Sequence, residues 1–211
     1  FPPAALVEAL AARCREAGVY VVANEITTGM AKTGRWFGHQ HYALRPDAVA
    51  AGKGLGNGYP ISAVALAPAL AERYEALGVY YSQSHQNNPL GCAVALAVMG
   101  ELRSGRWDEK ARAVGDASLA ALRALKDPFG RVLEARGRGA LLGLEFKAGA
   151  GLDGAAAYAR LWEARIITAA YPPGHPAGTG LRFDLPLCTE PGDFMKATEL
   201  IQELLLEAPA P

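Results

Sequence analysis

The sequence predicts an α/β protein in two parts, and three observations carry that expectation. Val19 to Ala23 is a continuous apolar, β-branched run ending at Asn24-Glu25, as in a strand covered on both faces. Ala48–Ala51 and Ser62–Ala67 repeat the strand signal on either side of a glycine-rich segment, with helical patterns before and after them. At Gly105 the pattern changes, and a second series of helices and short strands begins.

Taken in order, Leu6, Leu10, Ala11 and Cys14 recur at helical spacing and Gly18 supplies a stop. The strand at 19–24 ends in polar residues, where open α/β sheets place ligands. A loop with Thr27-Thr28-Gly29 and Thr33-Gly34-Arg35 follows. The next strands are 48–51 and 62–67, then a helix over 68–77. A long Ala-rich helix covers 89–102, with Pro89 in its first turn. Beyond Gly105 the spacing predicts a helix near 108–126, strands near 131–136 and 139–146, and a helix near 154–164. Strands near 166–170 and 180–184 and a last helix over about 190–206 complete the chain. This divides it into residues 1–104 and a smaller α/β domain over 105–211. Pro172-Pro173-Gly174 and Gly178 mark a surface loop.

Composition narrows the function. Apolar residues make up 51% and charged residues 20% of 211, which fits a globular protein with a real core. The 21 basic and 21 acidic side chains cancel, so nothing favours nucleic acid or an anionic membrane. No apolar span of about 20 residues and no signal peptide is present, which argues against membrane insertion and secretion. Cys14, Cys92 and Cys188 are odd in number and widely spaced, and read as reduced core thiols of a cytoplasmic protein. His39 and His41 lack further ligands nearby and suit a polar loop better than a metal. Phe1-Pro2-Pro3 leads into a helix with no initiator methionine, which suggests a piece of something longer.

Lys53 is the most informative residue. It stands in Asp47-Ala48-Val49-Ala50-Ala51-Gly52-Lys53-Gly54-Leu55-Gly56-Asn57-Gly58-Tyr59-Pro60, where a strand of small residues would bury its amine. Desolvation disfavours the charged form of such a lysine, and a neutral amine attacks carbonyls. A P-loop is excluded, because Asp47 and Gly54 stand where Gly and Ser or Thr are required. Gly54-x-Gly56-x-Gly58 also fails as a dinucleotide fingerprint: Pro60 and a β-prone stretch follow in place of a helix.

Three segments, in this order and spacing, resemble the class III (fold type I) pyridoxal-phosphate aminotransferases. They are Val21 to Arg35, Arg45-Pro46-Asp47 through Lys53 to Pro60, and Ser84-His85-Gln86-Asn87-Asn88-Pro89-Leu90-Gly91-Cys92-Ala93. The resemblance runs over essentially the whole chain but covers only the C-terminal half of such an enzyme. It implies that residues 1–104 complete a mostly parallel large-domain sheet and that 105–211 form the small C-terminal domain. It implies pyridoxal 5'-phosphate as cofactor, with Lys53 forming a Schiff base and then serving as the base that moves the proton. Ile26 matches the apolar residue on one face of the pyridine ring. Thr27 occupies the position where the family often has Gln near the ring hydroxyl, and Ser84 matches a hydroxyl residue that binds the cofactor phosphate across a dimer interface. Arg182, in Gly180-Leu181-Arg182-Phe183-Asp184, resembles the arginine that grips a substrate carboxylate. As plain structure, Ile26 would be core, Ser84 a helix cap and Arg182 half of a surface ion pair.

Two departures matter. Asn24 stands where the family has Asp, and a neutral amide cannot supply the charge that keeps the ring nitrogen protonated. The phosphate-binding Gly/Ser turn and the second stacking aromatic belong to the family's N-terminal half, and no segment here replaces them. His85 also stands at a position often aromatic. The sequence therefore implies a companion chain carrying the N-terminal half, with a dimer of composite units, because lone strand edges invite aggregation. Transfer of an amino group between an amino acid or amine and a 2-oxo acid is the leading expectation. Racemisation or epimerisation on the same cofactor, and a non-catalytic partner subunit, are the alternatives.

Overall fold

The computed structural model describes residues 1–171 and 179–207, in two compact units, Phe1–Asp108 and Glu109–Pro211. The surface loop expected at 172–174 and 178 lies outside the described residues.

In the first unit, helix α1 (Ala4–Glu16) precedes strand β1 (Val22–Asn24), with Gly18 at φ 65° ending the helix in the left-handed region. β2 (Ala48–Ala51) pairs parallel with β1, in the register Val22 to Ala48 and Asn24 to Ala50. β3 (Ala63–Leu66) returns antiparallel on the other side of β2, so this three-stranded sheet holds one parallel and one antiparallel pair. Helices α2 (Pro68–Ala76) and α3 (Pro89–Ser104) follow, each with proline in its first turn. Asn88 caps α3, its Oδ1 accepting from the Leu90 and Gly91 amides.

The expectation that β1 is covered on both faces is not met within this chain. Val22 is 60% exposed, Val64 in β3 is 66% exposed, and α2 buries no residue. Leu6 and Leu10 of the α1 stripe are also exposed, and only Ala11 is buried there. Three short strands cannot cover themselves; their apolar side chains need layers that these residues do not supply. Nor are the cysteines core residues: Cys92 and Cys188 are exposed and Cys14 is half-buried. No helix among the described residues is long and apolar enough to cross a membrane.

The second unit has a core of its own. α4 (Trp107–Arg123), α5 (Gly154–Glu163) and α6 (Met195–Leu206) accompany an antiparallel sheet in the order β4 (Val132–Arg138), β5 (Leu141–Phe146), β7 (Thr179–Asp184), β6 (Ala169–Tyr171). β6 lies a few residues later than the spacing suggested, and α6 starts at Met195 because Thr189 to Phe194 is spent on turns. Leu122, Leu144, Phe146, Leu161, Leu181, Ile201 and Leu205 are fully buried in one core. Arg131 is buried too, and its guanidinium donates to the carbonyls of Leu204 at 2.8 Å and Glu207 at 2.9 Å. It thereby satisfies the C-terminal end of α6.

One glycine sets how closely α4 approaches the β4–β5 turn. A Cβ on Gly115 would stand 2.1 Å from the Gly139 carbonyl oxygen, whereas one on Gly143 meets nothing nearer than 3.8 Å. Gly115→Ala is therefore expected to destabilise this unit by about 2 kcal/mol or more, as overpacking against backbone does. Gly143→Ala should be close to neutral. Urea denaturation of the two variants reads the difference, and equal midpoints would rule the close approach out.

Candidate active site

Lys53 is the first residue of a single 3-10 turn, Lys53–Leu55, one glycine beyond the end of β2. Its backbone φ is 39°, a left-handed conformation that a lysine rarely adopts. Hydrogen bonds hold it there: the Gly56 and Asn57 amides donate to the Lys53 carbonyl, each at 3.1 Å, and the Leu55 amide to Gly52 at 2.8 Å. Such backbone outliers persist where their surroundings over-determine them, commonly at functional sites. Gly56 makes the turn tight, since a Cβ there would sit 2.0 Å from the Tyr59 carbonyl oxygen.

The sequence set Lys53 beyond the strand at 48–51, as found, but the burial expected for its amine is not met. Lys53 lies just past the strand and is exposed. Its Nζ crosses to the segment after β1 and donates to Thr27 Oγ1 at 2.9 Å. Parallel pairing explains the meeting, because β1 and β2 end at the same edge of the sheet and both following segments emerge there. Ile26 belongs to the same group: a Cβ on Gly52 would come within 3.0 Å of Ile26 Cδ1, so this isoleucine packs closely on the backbone just ahead of the lysine. Asn24 closes β1, exposed, with its Oδ1 accepting from the Ile26 amide at 3.2 Å. That bond tells the two ends of the amide apart, since an N–H donor requires the oxygen.

Lys53, Thr27, Ile26 and Asn24 are thus brought together. Ser84 sits exposed in the turn ahead of α3, and Asn88, not Ser84, does the capping. Arg182 belongs to the second unit, on the exposed face of β7 between buried Leu181 and Phe183. There it pairs with Asp184, with Nη2 at 2.7 Å and Nε at 3.0 Å from Oδ2.

Glu25 is the residue whose importance sequence reasoning missed. Its side chain is 2% exposed and accepts from the Gly38 amide at 2.8 Å, the His39 amide at 2.7 Å, His39 Nδ1 at 2.9 Å, and the Thr28 hydroxyl. Burial alone would raise its carboxyl pKa; the Thr28 hydroxyl, the two amides and the imidazole outweigh that and hold it low. The available signal was parity: after exposed Asn24, the next side chain of an extended segment points to the opposite face. His39 serves this carboxylate, and His41 Nε2 lies 3.1 Å from both the carbonyl and the hydroxyl oxygen of Thr33.

Against known proteins, the profile of the family described as Aminotransferase class-III matches residues 1–205. Ornithine aminotransferase of Bacillus subtilis is 32% identical over 213 residues, covering 98% of this chain and 49% of that protein. Putrescine aminotransferase of Pectobacterium atrosepticum is 34% identical over 148 residues, 69% of this chain and 32% of that one. Among solved structures, an (S)-enantioselective omega-transaminase from Thermomicrobium roseum superposes with a TM-score of 0.85 at 27% identity. It covers 98% of this chain and 48% of its own. A transaminase from the marine bacterium Virgibacillus shares the fold, with a TM-score of 0.88 at 24% identity over 98% of this chain and 49% of that one. The chain spans about half the length, or less, of the relatives it matches.

Proposed function

The chain belongs to the class-III aminotransferase family, and from that premise we propose that it contributes the lysine-bearing part of a pyridoxal-phosphate-dependent aminotransferase. The reaction moves an amino group between an amino acid or amine and a 2-oxo acid. One observation carries the proposal: a lysine in a left-handed backbone conformation, its amine held by Thr27 beside Ile26 and Asn24 at the shared end of two parallel strands. These residues suit the cofactor chemically: an amine for its aldehyde, an apolar side chain for a ring face, a hydroxyl and an amide for its polar edge. When bound, the cofactor supplies an electron sink for charge developing on the substrate.

The chain's own residues then have distinct tasks. Lys53 Nζ would hold the cofactor through its aldehyde and, as a free amine, would accept and return the proton at the substrate carbon. Thr27 Oγ1 orients that amine. Ile26 keeps one side of the site apolar and dry. Ser84 would contribute a hydroxyl to a cofactor phosphate across the dimer interface. Arg182 would bind a substrate carboxylate through its planar fork, releasing Asp184 to do so.

The exposed apolar residues of β1 and β3, and Tyr80 at 88% exposure, support a companion chain that carries the enzyme's N-terminal half and covers them. The assembly would be a dimer of such composite units, and the free Cys14, Cys92 and Cys188 support a cytoplasmic location for it. Asn24 favours a second reading, racemisation, which tolerates a less protonated ring. Co-expression of this chain with one encoding the N-terminal half, supplied with pyridoxal 5'-phosphate, separates the two. Transfer of amino groups from a panel of amines to pyruvate or 2-oxoglutarate is expected. Loss of optical rotation without an acceptor would move the assignment to a racemase, and neither activity would end both.

A further inference from the structure

We infer that Glu25 is a positioning residue of this site: from the buried side of the strand end it fixes the turn that presents Ile26 and Thr27 to Lys53. The inference rests on the proposed role of Lys53, and it adds a residue that touches neither cofactor nor substrate.

Glu25 is tied in three directions. Its amide donates to the Ala50 carbonyl at 2.8 Å, locking it to the strand that leads, three residues on, to Lys53. Its carbonyl accepts from the Gly29 amide at 2.9 Å, which closes the turn containing Ile26, Thr27 and Thr28. Its carboxylate gathers donors from Thr28, Gly38 and His39, tying the far side of the loop to the same point. The packing leaves no slack. A Cβ on Gly29 would stand 2.7 Å from the Glu25 carbonyl oxygen, and one on Gly38 would stand 2.8 Å from Thr28 Cβ and 3.1 Å from Glu25 Oε2.

A buried carboxylate with all its donors in place specifies one arrangement of the backbone around it. Here that backbone carries the Thr27 hydroxyl that receives the Lys53 amine. The charge and both acceptor oxygens are needed, because a carboxamide must turn an N–H donor toward the Gly38 or His39 donors.

The test needs no activity. In the full chain, hydrogen exchange at residues 26–29 and competitive acylation of Lys53 by acetic anhydride are compared for wild type, Glu25→Gln, Glu25→Asp, Thr27→Ala and the Glu25→Gln/Thr27→Ala pair. Glu25→Gln is expected to speed exchange at 26–29 about tenfold, as loss of a buried charged acceptor loosens a local unit. It should also shift Lys53 acylation as Thr27→Ala does, with no further shift in the double variant. Glu25→Asp, which keeps both acceptors, should recover part of the protection. Additive shifts, or unchanged acylation in Glu25→Gln, would overturn the inference, because a merely structural carboxylate would not act through Thr27. If neither Glu25 variant folds, Thr28→Val removes one donor and reads the same coupling to Lys53. Borohydride trapping with pyridoxal 5'-phosphate, done on the chain co-expressed with the N-terminal half, keeps the two ideas apart. No adduct on Lys53 in wild type sinks the functional proposal, whereas equal trapping in wild type and Glu25→Gln sinks this one.

Discussion

Lys53→Ala in the assembled enzyme is expected to lower turnover by at least about a thousandfold, the scale on which removing a covalent catalyst acts. It should also leave no borohydride-stable pyridoxyl group on the chain. The left-handed backbone at Lys53 is set by Gly52, Gly56 and the hydrogen bonds of the turn, so alanine should change the chemistry more than the fold. Two comparisons sharpen the result. Lys53→Arg keeps a positive charge within reach of Thr27 but cannot become a neutral nucleophile, and should be as inactive as alanine. Lys32, the other lysine of the first unit, lies in the loop between β1 and β2, and Lys32→Ala should keep the adduct. Peptide mass mapping after reduction reads all three. An adduct that survives in Lys53→Ala would mean that the amine was misassigned.

The elements with strong local signals were legible in the sequence. β2 spans Ala48–Ala51 as its small apolar run implied, and α2 and α3 start at prolines that suit a first helical turn. Convergence of Lys53, Asn24, Ile26 and Thr27 was legible only as family resemblance; its cause is the parallel register of β1 and β2, which periodicity does not encode. Burial was the quantity most misjudged. Apolar composition at Val19 to Ala23 specifies a surface that needs covering, but not that the same chain covers it, and Val22 remains exposed. The Glu25 cluster was hidden for another reason. Its donors come from Thr28, Gly38 and His39, up to 14 residues away along a loop without periodic pattern.

Asn24→Asp is expected to raise aminotransferase turnover about tenfold, which corresponds to one pKa unit at the ring nitrogen expressed in the barrier. The geometry gives the reason. Asn24 Oδ1 is engaged by the Ile26 amide at 3.2 Å, so the group left to meet a ring nitrogen is its NH2, a donor. A donor facing a pyridine nitrogen stabilises the unprotonated ring, whereas a carboxylate stabilises the protonated one. The protonated ring withdraws electrons more strongly and better accommodates negative charge developing at the substrate carbon. Aspartate has nearly the same shape as asparagine. One of its oxygens can keep the Ile26 hydrogen bond while the other faces outward, leaving Ile26 and Thr27 in place. The gain should therefore appear in turnover at saturating substrate, with little change in cofactor affinity, and amino transfer should rise relative to racemisation. Unchanged turnover in Asn24→Asp would show that ring protonation does not limit this enzyme, and that the neutral residue at the end of β1 is matched to a step that never required the charge.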